Sequence, residues 1–172
     1  YKPNWNKDVL FRGAIGSYNQ SPFYRELRDK EGVLYTDLKS QKSTHFVFST
    51  DYNFLSWNRP FKFVGEIYYK SLRNLIPYEI DNLRLRYLPS LTSHGYTAGL
   101  DLRVNGEFVS GVESWASMSL MKSEEDIEGD GHGYIPRPTD QRFAFSLFFQ
   151  DYLPGNPSYK MNLKLHYSSG LP

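Results

Sequence analysis

The chain has 172 residues, of which 17% are aromatic and none is cysteine, and its formal net charge is +1. The near-neutral charge argues against nucleic acid as a partner, and the lack of cysteine excludes a disulfide framework and a thiolate metal site. No apolar run approaches the ~20 residues of a membrane-spanning helix, whereas a strand of a membrane barrel needs only ~9–11. Composition therefore allows one β-rich domain, or a piece of a larger one.

Seven segments alternate polar and apolar residues with period two, which predicts strands at about 9–18, 43–55, 61–71, 96–104, 108–121, 140–151 and 158–168. The links between them alternate in length: 19–42, 72–95 and 122–139 are long, whereas 56–60, 105–107 and 152–157 are short. Barrels that cross an outer membrane have short turns on one side and long loops on the other. The sequence therefore predicts an all-β fold, an antiparallel up-and-down transmembrane barrel segment of about seven strands. Asn105-Gly106 predicts a tight type I′ turn.

The two faces of each predicted strand differ in charge. In 61–71 one face carries Phe61, Ile67 and Tyr69, while the other carries charged side chains. A charge facing lipid near the membrane midplane costs about 2–4 kcal/mol, so the charged face must line the lumen of a membrane barrel. The predicted lumen-facing polar wall comprises Arg12, Asp51, Lys62, Glu66, Lys70, Asp101, Arg103, Arg142, Lys160 and Lys164. The alternative for each residue is a cross-strand ion pair on a solvated face.

A soluble antiparallel sandwich with one wet face alternates in the same way. Large aromatic residues at the strand ends favour the membrane barrel, because such rings form girdles at membrane interfaces. The predicted girdle residues are Tyr18, Phe54, Trp57, Tyr69, Tyr152, Tyr159 and Tyr167.

The long loops offer two kinds of candidate site. Asp126, Glu128 and Asp130, followed by Gly131, match the first half of a calcium-binding loop, but the twelfth position is Arg137 instead of a bidentate Glu. Either Ca²⁺ binds there or the loop is a solvated acidic segment. The loop aromatics Phe23, Tyr24, Tyr35, Tyr78 and Tyr134 are candidates for contacting an extracellular ligand, or for packing the loops together. No nucleophile elbow, phosphate loop or His-Glu-x-x-His occurs, so the sequence predicts no enzyme.

Several stretches, taken in order, resemble the late barrel strands of TonB-dependent outer-membrane receptors. They are YNQSPFYREL at 18–27, NLIPYEIDNLRLRY at 74–87, GYTAGLDL at 95–102, VNGEF at 104–108, ESWASMSLMK at 113–122, YIPRPTDQR at 134–142 and YLPGNP at 152–157. The resemblance covers nearly the whole chain and rests on the order and spacing of these stretches together.

The resemblance implies a barrel of about 22 strands in the outer membrane of a Gram-negative bacterium, closed by an N-terminal plug. Its expected partners are membrane lipid, the remaining strands and plug, the TonB complex acting through the plug, and an unidentified nutrient. This chain departs from the pattern by lacking a plug, a TonB-contact segment and an aromatic closing strand, since it stops at Ser169-Gly170-Leu171-Pro172. We therefore expect it to be a portion of a larger receptor.

Two other functions stay open at this point. One is a soluble all-β glycan-binding module that uses the loop aromatics, and it predicts a water-soluble protein. The other is a barrel that no longer transports and serves as a scaffold in an envelope assembly. Fold analogy does not choose among iron chelates, vitamins, peptides and glycans as the transported substrate.

Overall fold

The computed structural model describes residues 1–4, 7–82 and 84–170, so Leu83 of the second resembling stretch and the terminal Leu171 and Pro172 lie outside the described residues. The described chain forms ten strands: β1 Val9–Gln20, β2 Gln41–Ser56, β3 Arg59–Leu75, β4 Tyr78–Asp81, β5 Arg84–Tyr87, β6 Ser93–Val109, β7 Val112–Ile127, β8 Tyr134–Pro136, β9 Phe143–Leu153 and β10 Asn156–Ser168. No helix in the described part of the chain is long and apolar enough to cross a membrane.

The long strands form one antiparallel sheet in the order β1-β2-β3-β6-β7-β9-β10. The prediction of an all-β, antiparallel up-and-down sheet is therefore confirmed. β8 pairs with the end of β7, and β4 and β5 form a separate two-stranded ribbon. Because seven strands alternate in direction, β1 and β10 run the same way. They stand at opposite edges of the sheet and cannot pair with each other antiparallel.

All short connections lie at one end of the sheet, which we call the turn end, and all long connections lie at the other, the loop end. Trp57 and Asn58, between β2 and β3, have φ of 53° and 57°, the left-handed values that a type I′ hairpin turn requires at both positions. Pro154 and Gly155, between β9 and β10, place Pro before a Gly with φ of 82°, as in a type II turn. The long connections are 21–40, 76–92 and 128–142.

The type I′ turn predicted at Asn105-Gly106 is wrong. Both residues lie inside β6, which continues to Val109, and the chain reverses at Ser110 and Gly111. Gly106 is needed for packing instead: a Cβ there would lie 2.3 Å from Cδ1 of Phe61 on the neighbouring strand. The glycine lets the aromatic ring of Phe61 lie against the backbone. A ladder irregularity between Gly106 and Val109 accommodates one extra residue on β6 relative to β7.

The sheet is a single layer with little enclosed core. The principal contacts between strands all join neighbours in the sheet or in the β4–β5 ribbon. Among the described residues, the buried apolar side chains are Val9, Phe61, Leu75, Ile76 and Val112, together with Pro3, Pro77 and Pro89. Many large apolar side chains on the strands are exposed: Ile15 on the edge strand β1 is 78% exposed, and Ile67 on the inner strand β3 is 61% exposed.

Candidate functional site

Strand register places most of the predicted polar wall on one face of the sheet, which we call the polar face. Directly paired residues share a face, so each cross-strand row can be followed through the sheet. One row runs Arg12, Ser49, Glu66, Asp101, Ser119; the next runs Leu10, Asp51, Val64, Arg103, Ser117; a third runs Asn53, Lys62, Asn105, Trp115, Phe148, Lys164. Lys70 lies on the same face, opposite His45.

Asp51 is the centre of the ion pairs on the polar face. Its carboxylate accepts a 2.5 Å contact from Nη2 of Arg12 and a 2.8 Å contact from Nζ of Lys62. The Asp51 side chain is 8% exposed, whereas Arg12 and Lys62 are 53% and 47% exposed. Two cations on diagonal positions of neighbouring strands therefore neutralise one almost buried carboxylate, as the cross-strand ion-pair alternative predicts.

The remaining charges of the polar face use other partners. Asp101 accepts a hydrogen bond from the Ser119 hydroxyl, 2.5 Å away, and stands directly opposite Glu66 on the neighbouring strand. The guanidinium of Arg103 lies 4.8 Å from the ring centroid of Trp115, and the ammonium of Lys70 lies 5.0 Å from that of Tyr68. Such cation–π contacts hold the cations against the sheet.

Two predicted wall residues lie in different surroundings from the rest. Arg142 precedes β9, and its guanidinium contacts Asp140 at 2.5 Å and Glu124 at 3.6 Å. Glu124 points to the opposite face from the polar wall, because it pairs with Tyr96. Lys160 lies next to a register shift near the turn end, with its ammonium 5.4 Å from the ring centroid of Tyr152.

Two predicted girdle residues also lie on the polar face. Tyr18 has the same parity along β1 as Arg12, and its ring lies 4.6 Å from that of His45. Tyr152 pairs directly with Lys160. Period two in the sequence does not by itself fix which way a residue beside a turn or at a strand end points, so these two were wrongly assigned.

The loop end of the sheet contains a buried polar cluster, which we define as Ser93, Ser123, Glu125, Arg137 and Asp140. The Ser93 hydroxyl donates to Oε2 of Glu125 at 2.7 Å, and the Arg137 Nε lies 3.7 Å from the same oxygen. Oδ1 of Asp140 accepts the backbone N–H of Ser123 at 2.7 Å. The cluster therefore fastens the 128–142 connection to the end of β7.

Sequence reasoning missed this cluster because it treated 122–139 as one loop. In the structure β7 continues to Ile127, and β8 folds back against it, with Glu124 opposite Pro136 and Asp126 opposite Tyr134. Residues 122–126 are all polar, so no period-two alternation indicated that the strand continues or that Ser123 and Glu125 are buried.

The five loop aromatics do not form one site. Phe23 is exposed and Tyr35 is half-buried, and Tyr24 contacts the guanidinium of Arg28. The remaining two belong to separate aromatic pairs: the Tyr78 ring lies 5.9 Å from that of Tyr87 across the β4–β5 ribbon, and the Tyr134 ring lies 5.7 Å from that of Tyr96. Within the described ranges, no ring contact joins any two of the five.

The carboxylates proposed for calcium do not converge. Asp126 points toward Nε2 of His94, 4.0 Å away, and Asp130 accepts the backbone N–H of His132 in its own loop. Across residues 1–4, 7–82 and 84–170 no group of three or more His, Asp or Glu side chains is arranged to hold a metal ion. The structure therefore does not bring Asp126, Glu128 and Asp130 together: Asp126 lies in β7 opposite Tyr134, and the other two lie in the connection that follows it.

The face opposite the polar face, which we call the apolar face, carries aromatic and aliphatic rows. One row runs Gly13, Phe48, Ile67, Leu100, Leu120, Phe143, and the next runs Phe11, Thr50, Gly65, Leu102, Met118, Phe145, Tyr167. At the turn end, Phe61 packs against Phe54, Trp57 and Phe108, with ring centroids 5.1–5.9 Å apart.

No protein-family model, curated protein or solved structure matches this chain.

Proposed function

We propose that this chain forms part of the barrel of a TonB-dependent outer-membrane receptor that takes up a nutrient actively. The observation that carries the proposal is the apolar face: a continuous surface of aromatic and aliphatic side chains on a single-layer sheet whose long connections all lie at one end. Monomeric soluble proteins rarely leave so large an apolar surface open to water. A bilayer covers such a surface without a second protein layer.

The polar face supports the same proposal. Several of its charges pair with one another, lie over aromatic rings or accept a hydroxyl hydrogen bond, so the face is suited to a water-filled lumen or to contact with a plug. Carboxylates such as Asp51 and Asp101 on this face would be costly in lipid, which allows only one orientation of the sheet in a membrane. The mechanism of the proposed receptor is binding, rearrangement of the plug and release, with no covalent chemistry.

The strand lengths also support it. β2, β3, β6 and β7 have 16 or 17 residues each. About 9–11 residues of a tilted strand cross the hydrocarbon region, so several residues of each strand extend beyond it toward the loop end. The buried polar cluster and β8 lie in this extension, where long loops of the proposed receptor would face the cell exterior.

Cysteine labelling tests the orientation, because the chain has no native cysteine. Ile67→Cys and Glu66→Cys are adjacent in the middle of β3 and lie on opposite faces, so each is the matched control of the other. In native outer membranes we expect a membrane-impermeant thiol reagent to modify Glu66→Cys and a lipid-soluble quencher to reach a fluorophore at Ile67→Cys. Equal access of the aqueous reagent to both positions would contradict the proposal.

Fractionation of the host envelope tests the proposal at the level of the whole protein. We expect the polypeptide in the detergent-extracted outer membrane at several times 20.1 kDa. Uptake of the nutrient should stop when TonB is deleted; binding without uptake in the presence of TonB would identify a scaffold. A water-soluble 20.1 kDa species would overturn the barrel and favour the glycan-binding module.

A further inference from the structure

Two cations stand side by side at the loop end of the apolar face. Lys42 of β2 and Arg73 of β3 are directly paired across the two strands, and both side chains are exposed. Their Cβ atoms are therefore about 5 Å apart, and like charges directly opposite each other destabilise a sheet. Neither cation makes an ion pair with a carboxylate in the described part of the chain. An anion from outside would relieve the repulsion.

The residue composition around the two cations gives a second reason to expect an anion from outside the chain. On the same face, the alternate residues of β1, β2 and β3 include no Asp or Glu. The first row below the two cations contains the hydroxyl residues Ser17, Thr44, Ser71 and Tyr96; it then reaches Glu124 of β7, whose carboxylate accepts a hydrogen bond from the Tyr96 hydroxyl and leaves the hydroxyls of β1, β2 and β3 open. Hydroxyl groups donate and accept hydrogen bonds, so this row is suited to ester or glycerol oxygens.

An open apolar groove follows the hydroxyl row. It has a volume of about 650 Å³ and is lined by Ile15, Phe46, Phe48, Ile67 and Tyr69, among others. It exists partly because Gly13, opposite Phe48, leaves open space where a side chain would stand. Phe46 lies four positions along β2 from Lys42, a distance of about 13 Å. Lys and Arg side chains extend their charged ends well beyond their Cα positions, so they shorten the gap.

Going toward the loop end, the apolar face therefore presents an apolar groove, a row of hydroxyl groups and a pair of cations. We propose that it binds an anionic amphiphile, with an acyl chain in the groove, ester or glycerol oxygens at Thr44 and Ser71, and a phosphate headgroup between Lys42 and Arg73. This inference rests on the proposed function, because it requires the apolar face to meet lipid. It adds a defined lipid site to what would otherwise be a non-specific contact.

The test uses the whole protein that contains this chain, purified in dodecyl maltoside, titrated with dimyristoyl phosphatidylglycerol and followed by native mass spectrometry. Parallel titrations use dimyristoyl phosphatidylcholine, whose headgroup carries no net charge, and inorganic phosphate alone. We expect phosphatidylglycerol to bind most tightly and inorganic phosphate not to compete with it, because the acyl chain contributes to binding. Each Lys or Arg near an anionic lipid surface adds to the free energy of binding. Removing both Lys42 and Arg73 should therefore weaken phosphatidylglycerol binding roughly tenfold to thirtyfold.

The decisive variant is Lys42→Gln with Arg73→Gln. Its matched control is Lys160→Gln with Lys164→Gln, which removes the same charge from the polar side of β10. A third variant, Gly13→Leu, fills the groove without changing charge and should weaken phosphatidylglycerol and phosphatidylcholine alike.

Equal phosphatidylglycerol affinity in wild type and the Lys42/Arg73 variant would overturn the inference, as would full displacement by inorganic phosphate. A second copy of the chain covering the face would show as a dimer that excludes lipid, and would overturn it too. Failure of the lipid site is distinguishable from failure of the proposed function. If only the lipid site fails, the protein is still extracted from the outer membrane with detergent but does not discriminate between lipids. If the proposed function fails, the protein needs no detergent.

Discussion

The turn end and the loop end of the sheet are held together by different interactions. At the turn end, tight turns close around Phe61, which packs on three aromatic rings and on the bare backbone of Gly106. At the loop end, the buried polar cluster uses hydrogen bonds and the Glu125–Arg137 ion pair to fasten a long connection. The turn end is thus stabilised by apolar packing of aromatic rings, and the loop end by polar contacts.

The largest expected effect is at the turn end. Phe61→Ala should lower the free energy of unfolding by about 3–5 kcal/mol, because it removes a buried ring and leaves a cavity against Gly106. Urea unfolding in detergent measures the change. Phe46→Ala, on the same face but exposed, is the matched control and should cost less than about 1 kcal/mol. Equal losses of unfolding free energy in the two variants would show that the buried ring of Phe61 stabilises the sheet no more than an exposed ring does.

A smaller and more local effect is expected at the loop end. Glu125→Gln should cost about 1–3 kcal/mol, since it removes the charge from a buried hydrogen-bonded carboxylate facing Arg137. Hydrogen exchange should accelerate in 128–140 while β2 and β3 stay protected. Glu128→Gln is the control, because Glu128 is exposed. Faster exchange throughout the sheet would contradict a cluster that only fastens a loop.

Between the two ends, the ion pairs of the polar face should contribute less. Asp51→Asn should cost up to about 1 kcal/mol in detergent, because Arg12 and Lys62 are about half exposed and solvent screens both pairs. The loss should shrink in high salt. Thermal unfolding at two salt concentrations, with exposed Asp37→Asn as the control, measures it. A salt-independent loss would indicate a packing role for Asp51.

The smallest expected effect is a pH dependence from Glu124, the thirteenth residue of β7 and beyond the predicted membrane-spanning part. Hydrogen bonds from Lys122 and from the Tyr96 hydroxyl lower the pKa of Glu124 below its ordinary value of 4.5. The unfolded chain therefore binds the proton more tightly than the folded one. The stabilisation is complete above pH 4.5 and is lost as the pH falls through the lowered pKa of the folded state.

Glu124→Gln removes this contribution, so the difference in stability between wild type and variant should narrow as the pH falls below 4.5. Equilibrium unfolding at a series of pH values from 7 down to about 3 measures it. A difference that stays constant across this range would mean that the Glu124 carboxylate is not stabilised in its charged form.

The strands and their faces were predictable because period two is a local property of the sequence. Phe63, Ile67 and Tyr69 alternate with Lys62, Glu66 and Lys70 wherever β3 is placed, and a buried or lipid-covered face needs this pattern in any sheet. The alternation of long and short links likewise required only counting residues. These features depend on neighbours in the sequence, so the sequence alone determined them.

Tertiary structure decided the turns and the loop-end cluster. Asn105-Gly106 has the composition of a type I′ turn, but both residues lie within β6. The ring of Phe61 on the neighbouring strand packs on the backbone of Gly106, and the chain reverses at Ser110-Gly111 instead. Ser93 meets Glu125 through the register of β6 and β7, and Arg137 reaches Glu125 because β8 folds back on β7. The Lys42–Arg73 pair exists only through the register of β2 and β3. Each outcome depends on which distant residue lies opposite, and the local sequence does not specify that partner.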